Sequence, residues 1–350
     1  MRAAVFRSPG EPLRVEQVAD PTPGAREVVI RVGRCGICAT DLHLTEAEVP
    51  AAEPPHPILR AMKQRFGPGS VLGHEYAGEV VAVGADVRRL KIGDRITALP
   101  FAGCGTCAAC LEGRLTWCSQ RRSMQGGFGE YTRVDERSAI RLPASLSLAD
   151  GALVEPLAVG HHGVDVATLR PGARVLVLGA GAMGLATVFW ARRLGAGPIA
   201  VSARSTRRAE MARNMGATAF VAQGDDLPVR AAAALGGAPD LVFECAGAAG
   251  LLALAMECAG PRAAVIVVGM CSTSEPVVPV VGIAKELTMR FVMAYGAGDF
   301  EAAIDTLDRG AVEPRAMVTD TVSLDEFPIA FEALRLPTDQ CKVQVDPGSS

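Results

Sequence analysis

The spacing of hydrophobic residues changes along the chain and predicts two kinds of structure. In the first part, short β-branched runs bounded by Pro or Gly predict strands over 2–6, 27–32 and 78–83. From Arg174 onward, apolar strands alternate with helical patterns. The strands are expected over 175–178, 199–202, 241–244 and 264–268, and the helices over 183–194 and 206–215. This alternation predicts an α/β fold with a parallel sheet covered by helices on both faces.

The same change of rhythm predicts how the chain divides into domains. A chain of 350 residues is too long for one ordinary core. We expect a β-rich domain over 1–149, a sheet domain over 150–289, and a final segment over 290–350 that returns to the first domain. Helical patterns over 300–308 and 324–334 and a last strand near 342–345 belong to that segment.

One stretch of the first domain interrupts its regular pattern. Prolines recur between Glu46 and Ser70, at positions 50, 54, 55, 57 and 68. Such spacing predicts an ordered surface loop or lid rather than regular secondary structure.

Composition narrows the possible classes of protein. The net charge of -3 gives no electrostatic reason to bind nucleic acid or a membrane surface. No apolar run approaches the roughly 18 residues of a membrane span, and Met1 to Phe6 lacks a signal pattern, so we expect a cytoplasmic protein. Ten cysteines then favour metal binding over disulfides.

Residues 35–43 concentrate more polar chemistry than folding alone requires. Cys38 lies in this stretch with Thr40 and His43, and His74 and Glu155 follow later in the chain. Thiolate, imidazole and carboxylate suit Zn²⁺, and a catalytic site keeps three protein ligands and one open position. The set predicts a catalytic zinc site in which Thr40 and His43 move a proton. The structural alternative is a buried reduced cysteine with two hydrogen-bonded histidines, which we favour less for the whole set.

A second cysteine cluster predicts a structural zinc lobe over 103–119. Its members share short spacings that can close a tetrahedral site: Cys104, Cys107, Cys110 and Cys118. An iron–sulfur cluster is the competing interpretation. It is less favoured because the last cysteine lacks the spacing and the following proline of the ferredoxin pattern. Unliganded thiols are less favoured still.

A glycine-rich turn between a predicted strand and helix predicts a dinucleotide site. Gly179, Gly181 and Gly184 form the GxGxxG pattern, and Met183 lies inside it. The glycines allow a tight turn, close approach of a pyrophosphate and helix packing. A purely structural turn is the alternative.

The end of the next strand bears on the choice of dinucleotide. NAD enzymes place an acid there, but this chain has Ala203, followed by Arg204 and Ser205, with Arg208 nearby. A 2'-phosphate would meet basic donors and no carboxylate, which favours NADP over NAD. The alternative is that these arginines form a solvated first helical turn.

Together these motifs, in this order, resemble the zinc-dependent medium-chain alcohol dehydrogenases, nearest the sorbitol and threonine dehydrogenase branch by the segment Glu155-Pro156-Leu157. The resemblance implies a GroES-like catalytic domain, a Rossmann domain, two Zn²⁺ per chain, and a dimer or tetramer. It implies that Glu155 occupies the third-ligand place, directly or through water, and that Glu75 can replace a ligand. It also implies that Lys342 lies near the cofactor pyrophosphate.

The resemblance implies reversible hydride transfer between a small alcohol, or its ketone or aldehyde, and a nicotinamide cofactor. Thr40 would hydrogen-bond the substrate oxygen, and His43 would end the proton relay. Two alternatives stay open: a non-catalytic nucleotide-binding scaffold and a zinc-free quinone reductase. Two departures from the family pattern are the missing acid at Ala203 and a longer segment between Cys38 and His74 than the family leads us to expect.

Overall fold

The structure is a computed structural model that describes residues 1–47 and 56–349. The chain divides into two compact units. The first unit comprises Met1–Glu155 and Tyr295–Ser350, and the second comprises Pro156–Ala294.

The elements follow one another along the chain as described below. The first part contains β1 (Arg2–Phe6), β2 (Arg14–Gln17), β3 (Glu27–Gly36), α1 (Ala39–Thr45), α2 (Pro57–Lys63), β4 (Ser70–Val71), β5 (Glu75–Val83), β6 (Arg95–Ala98), β7 (Phe101–Ala102), α3 (Ala108–Leu111), a 3-10 turn (Leu115–Trp117), β8 (Arg122–Ser123), β9 (Tyr131–Asp135), β10 (Ala139–Arg141) and α4 (Leu148–Val166). The middle contains β11 (Val175–Leu178), α5 (Ala182–Arg193), β12 (Ile199–Ala203), α6 (Ala209–Asn214), β13 (Ala219–Ala222), α7 (Leu227–Leu235), β14 (Leu241–Glu244), α8 (Leu251–Cys258), β15 (Ala264–Val267), α9 (Pro279–Lys285) and β16 (Thr288–Phe291). The last part contains α10 (Ala297–Asp308), a 3-10 turn (Glu313–Met317), β17 (Val318–Ser323), α11 (Phe327–Ala333) and β18 (Lys342–Asp346).

The first unit is built around a mainly antiparallel sheet with strand order β10-β6-β5-β3-β18-β17, in which β9 also pairs with β3. Apolar side chains fill its core, including Leu72, Phe128, Phe327 and Phe331. The register of β3 against β5 sets Gly36 opposite Glu75, and β18 pairs with the same end of β3. The sheet therefore gathers residues from distant parts of the sequence at one end of β3.

The second unit confirms the predicted parallel sheet. Six parallel strands run in the order β13-β12-β11-β14-β15-β16. This strand order, with β11 as the first of these strands along the chain, is that of a doubly wound sheet. In such sheets the ligand crevice lies at the carboxyl ends of the two central strands, here β11 and β14. Strands β11 and β14 have the bounds expected from the sequence, whereas α6 begins at Ala209, later than the predicted 206.

The expectation of no regular structure between Glu46 and Ser70 is wrong for part of that segment. Helix α2 covers Pro57–Lys63. Pro57 occupies its first position, where a missing N–H costs nothing, and the next proline comes only at Pro68. Residues 48–55 lie outside the described part of the chain. Among the described residues, no helix is long and apolar enough to cross a membrane.

Candidate metal and cofactor sites

The first unit brings three of the predicted metal ligands together. One ligand atom from each of Cys38, His74 and Glu75 lies within 4.8 Å of the other two. Cys38 precedes helix α1, and its backbone N–H donates to Oδ2 of Asp41 at 3.1 Å, which fixes the start of that helix. His74 and Glu75 are buried at the beginning of β5. We call these three residues the Cys38 cluster.

Asp41 lies against the imidazole of the Cys38 cluster as an ion-pair partner. Its Oδ1 lies 3.3 Å from Nδ1 of His74, and the Asp41 side chain is fully buried. Burial alone would lower the pKa of His74, but the nearby charges of Asp41 and Cys38 raise it well above the usual range. A carboxylate on Nδ1 leaves Nε2 for a metal ion. The sequence analysis missed Asp41, although its place between Thr40 and His43 was a possible signal.

Glu75 has one oxygen paired and one unpaired. Its Oε1 accepts from Nζ of Lys342 at 2.7 Å, while its buried Oε2 has no hydrogen-bond partner among the described residues. A Cβ on Gly36 would lie only 2.1 Å from this Oε2, so the glycine makes room for the carboxylate. An unpaired buried carboxylate oxygen beside a thiol and an imidazole fits a divalent cation.

Lys342 lies against the Cys38 cluster. Its buried ammonium group donates to Glu75 and, at 2.9 Å, to the carbonyl of Ile37. Burial lowers the pKa of Lys342, but the charges of Glu75 and Cys38 outweigh it, and the net shift is upward. The ammonium group of Lys342 therefore forms an ion pair with Glu75 within the first unit. The predicted contact with the cofactor pyrophosphate stays a prediction.

Glu155 is held by a tyrosine that the sequence analysis did not single out. The hydroxyl of Tyr295 donates to Oε1 of Glu155 at 2.6 Å, and both side chains are buried. Burial is the main reason that the pKa of Glu155 rises to about 7, although the charge of His74 acts against it. The 4.8 Å group contains Glu75, and Glu155 lies outside it. The site thus has two carboxylates in two different environments.

The two residues predicted to move a proton lie on the short helix that follows Cys38. Thr40 is partly buried in the first turn of α1. His43 has 55% of its side chain exposed, and its Nδ1 lies 3.4 Å from Oε2 of Glu46. An exposed imidazole next to a buried metal cluster can exchange protons with solvent.

The four cysteines of the predicted lobe also come together. Their sulfur atoms lie within 4.8 Å of one another, and Sγ of Cys104 is 3.9 Å from Sγ of Cys110. Four thiolates about 2.3 Å from one tetrahedral ion would be about 3.8 Å apart. Hydrogen bonds, first from the Thr106 hydroxyl and then from the amides of Thr106 and Cys107, lower the pKa of Cys104 to about 5. The backbone amide of Cys104 donates to Sγ of Cys118 at 3.3 Å. The geometry fits a single metal ion.

In the second unit, the glycine-rich turn joins β11 to α5. Gly179 has φ +111, and a Cβ on Gly184 would lie 1.9 Å from the carbonyl oxygen of Gly179, so both positions need glycine. A Cβ on Gly181 would meet no protein atom within 4 Å. Gly181 precedes the first turn of α5, which contains Met183. This open approach to the free amides of a helix start fits a pyrophosphate.

The basic residues predicted beside the ribose lie at the end of β12. Ala203 is the last residue of that strand, and Arg204 and Ser205 are exposed directly after it. Arg208 donates from Nη1 to the carbonyl of Ala180 at 3.3 Å, which brings its guanidinium to the glycine-rich turn.

Comparison with known proteins identifies the family of the chain. The sequence model for the Alcohol dehydrogenase GroES-like domain matches residues 24–144, and the model for Zinc-binding dehydrogenase matches residues 182–309. The sorbitol dehydrogenase of Bacillus subtilis (strain 168) is 32% identical over 357 aligned positions, which cover 99% of this chain and 97% of that protein.

Solved structures extend the comparison to the fold. The crystal structure of 2R,3R-butanediol dehydrogenase from Bacillus subtilis superposes with a TM-score of 0.85 and 30% identity over 99% of each chain. A protein from Sinorhizobium meliloti 1021, determined bound to NADP, superposes with a TM-score of 0.84 and 33% identity over 99% of each chain. The predicted fold class, a GroES-like domain with a Rossmann sheet, is confirmed.

These relatives also decide between the classes of function left open by the sequence. They do not favour the non-catalytic scaffold or the zinc-free quinone reductase. Zinc, a nicotinamide cofactor and an alcohol or carbonyl substrate follow from the family. The chain belongs to the zinc-type medium-chain alcohol dehydrogenases, in the sorbitol dehydrogenase-like branch, and is a zinc-dependent oxidoreductase.

Proposed function

We propose that this NAD(P)-dependent dehydrogenase holds its catalytic zinc on Cys38, His74 and a carboxylate in the first unit. The proposal is carried by two observations on Glu75: one of its carboxylate oxygens lies within 4.8 Å of ligand atoms of Cys38 and His74, and its buried Oε2 has no hydrogen-bond partner among the described residues. This geometry favours Glu75 as the direct third ligand. Glu155 then acts through a water molecule or the substrate oxygen, because Tyr295 already occupies its Oε1.

The bound zinc would supply Lewis acidity that makes an alkoxide accessible near neutral pH. In the protein, the Thr40 hydroxyl would take the proton of the substrate hydroxyl while giving up its own, and His43, exposed on α1, would release one proton to solvent. Asp41 keeps His74 in one orientation, and Lys342 balances the charge of Glu75. Residues around Gly179 to Gly184 would hold the cofactor pyrophosphate.

The test of this assignment is the variant Cys38→Ser. Turnover with alcohols should be lost, and zinc should fall from two to one per chain while the urea unfolding midpoint changes little. Activity close to that of the unmodified protein would contradict the assignment. A single zinc in the unmodified protein, located in the cysteine lobe, would support a non-catalytic role.

A preference for NADP over NAD is supported by the residues at the end of β12. Arg204 and Ser205 are exposed there, and Arg208 reaches the glycine-rich turn. The protein from Sinorhizobium meliloti 1021, which is 33% identical, was determined with NADP bound. Separate titrations with NADPH and NADH, followed by nicotinamide fluorescence, test this preference. Tighter binding of NADH would contradict it.

The cysteine lobe would hold the second zinc of each chain in a structural role. Four thiolates fill the coordination of one tetrahedral ion and leave no open position. The first unit, which includes the lobe over 103–119, would then carry out catalysis, and the second unit would bind the cofactor.

Assembly of two copies is supported by an apolar surface at the edge of the sheet in the second unit. Strand β16 has one paired neighbour, β15, among the described strands. Large apolar side chains are exposed on this strand, on helix α9 and just beyond their ends: Val278, Val280, Ile283, Phe291 and Met293. We call them the β16 edge surface. An unpaired apolar edge strand favours pairing with a second chain, which agrees with the predicted dimer or tetramer.

A further inference from the structure

The cysteine lobe touches the segment that carries Tyr295 at two points, and Phe101, just before the lobe, makes a third contact. The hydroxyl of Thr116 donates to the carbonyl oxygen of Tyr295 at 3.2 Å. The backbone N–H of Ala297 donates to the carbonyl of Gly113 at 3.1 Å. The ring of Phe101 stacks on the ring of Tyr295 with centroids 5.8 Å apart. Gly113 and Thr116 lie between the third and fourth cysteines, and Phe101 precedes the first.

The other end of Tyr295 reaches the catalytic carboxylate. Its hydroxyl donates to Glu155 at 2.6 Å, and its ring packs edge-on against Phe300 at 5.0 Å. Tyr295 is 4% exposed, so its ring has little freedom to move. Ala294, directly before it, has φ 52, a backbone conformation that a non-glycine residue keeps only when its surroundings hold it. The segment is therefore fixed from both sides.

We infer that the cysteine lobe orients Glu155 through Tyr295, so that metal binding in the lobe sets the geometry of the catalytic zinc site. The inference rests on the proposed function, because it gives Glu155 a place beside the catalytic metal. The lobe holds the backbone of Tyr295, Phe101 just before the lobe packs on its ring, and the phenol hydroxyl holds one oxygen of Glu155. Glu155 keeps its other oxygen for the metal site. Tyr295 is a positioning residue, and the lobe acts on the site as well as on stability.

The experiment measures Co²⁺ binding at the catalytic site, with zinc and cobalt counted per chain. Bound Co²⁺ has a visible d–d band whose position reports its ligand geometry, and the thiolate of Cys38 adds a charge-transfer band in the near ultraviolet. Tyr295→Phe removes only the hydroxyl and keeps the stacked ring. Its Kd for Co²⁺ should rise by about 10-fold, the lower end of the effect of outer-shell residues, because Glu155 acts on the metal through a water molecule, and the d–d band should shift.

A second variant tests the link to the lobe. Thr116→Val removes the hydrogen bond to the Tyr295 carbonyl, and the Kd for Co²⁺ should rise in the same direction, on the order of threefold. Thr132→Val is the matched control, because its hydroxyl also donates to a carbonyl, that of Gln125, and both threonines are 4% exposed. The control should leave the Kd and the band unchanged. Urea unfolding midpoints show whether each variant is folded.

Three results would overturn the inference, and they are distinguishable. A Tyr295→Phe protein with the unmodified Kd and band would show that the hydroxyl does not position Glu155. Thr116→Val behaving like Thr132→Val would show that the lobe does not act through Tyr295. An unmodified protein that binds metal only in the lobe would refute the proposed function, and this inference with it.

Discussion

Gly36 offers the sharpest test of the metal site, because a single methyl group would enter the space of one carboxylate oxygen. The Cβ of an alanine at this position would lie 2.1 Å from Oε2 of Glu75. Ordinary contact between such atoms needs about 3.5 Å, so the carboxylate must retreat by more than 1 Å. Lys342 blocks part of this retreat, since its Cδ would lie 3.1 Å from the same Cβ.

The Gly36→Ala variant should therefore lose catalysis more than stability. Overpacking of this kind costs about 1–3 kcal/mol of unfolding free energy. Displacement of a catalytic group by about 1 Å can lower kcat/KM by about 100-fold. Steady-state kinetics with an alcohol substrate, zinc analysis and urea unfolding measure the three quantities. Zinc should fall toward one per chain, because the cysteine lobe is unchanged.

Gly33→Ala is the matched control on the same strand. Its Cβ would lie 2.3 Å from Cδ1 of Leu148, a flexible apolar side chain away from the Cys38 cluster. It should cost similar stability and keep both the zinc and kcat/KM. If Gly36→Ala keeps two zinc ions and a kcat/KM within about threefold of the control, Oε2 of Glu75 does not face the metal.

Three further predictions concern other parts of the chain. Ala203→Asp places a carboxylate where a 2'-phosphate would lie. Fluorescence titration should therefore show NADPH binding weakened by about tenfold or more and tighter NADH binding. An unchanged ratio of the two dissociation constants would contradict the NADP proposal. Burial raises the pKa of Asp135, but hydrogen bonds and charge from Arg137 outweigh it, and the net shift is downward. The ionised carboxylate therefore stabilises the fold at neutral pH, and this stabilisation is lost as the pH falls through the folded-state pKa. Asp135→Asn should therefore lower the urea midpoint at pH 7, by about 2 kcal/mol in unfolding free energy, and the difference should shrink below about pH 5; a difference that does not change with pH would refute this. Phe291→Asp should convert the assembly to monomers, as measured by light scattering. Val229→Asp, at a similarly exposed residue of α7, should not. Equal molar masses of the two variants would show that the β16 edge surface is not the interface.

The local motifs were visible in the sequence because each lies within a short stretch. The glycine-rich turn and the four cysteines are recognisable from the spacing of their residues alone. A strand-to-helix turn and a metal lobe could therefore be predicted without tertiary information. Helix α2 was missed because prolines were counted as breakers throughout, although Pro57 lies where a helix accepts one.

The partners of the metal ligands could not be predicted from the sequence. Lys342 meets Glu75 only because β18 and β5 both pair with β3, and Tyr295 meets Glu155 across a sequence separation of 140 residues. No local periodicity encodes such contacts. The choice between Glu75 and Glu155 as the third ligand depends on these contacts, and for this reason the sequence left it open.

The position of β18 has a consequence for synthesis on the ribosome. Residues 156–294 form one continuous unit, so they can fold as soon as they emerge. The first unit must wait, because β18 completes its sheet beside β3 and supplies Lys342 from the last tenth of the chain. Until then the nascent polypeptide carries an open strand edge and an uncompensated acidic group at Glu75. The oxidoreductase centre thus matures after the cofactor unit, and a chain that stops before β18 would carry a folded cofactor unit and an unfinished metal centre.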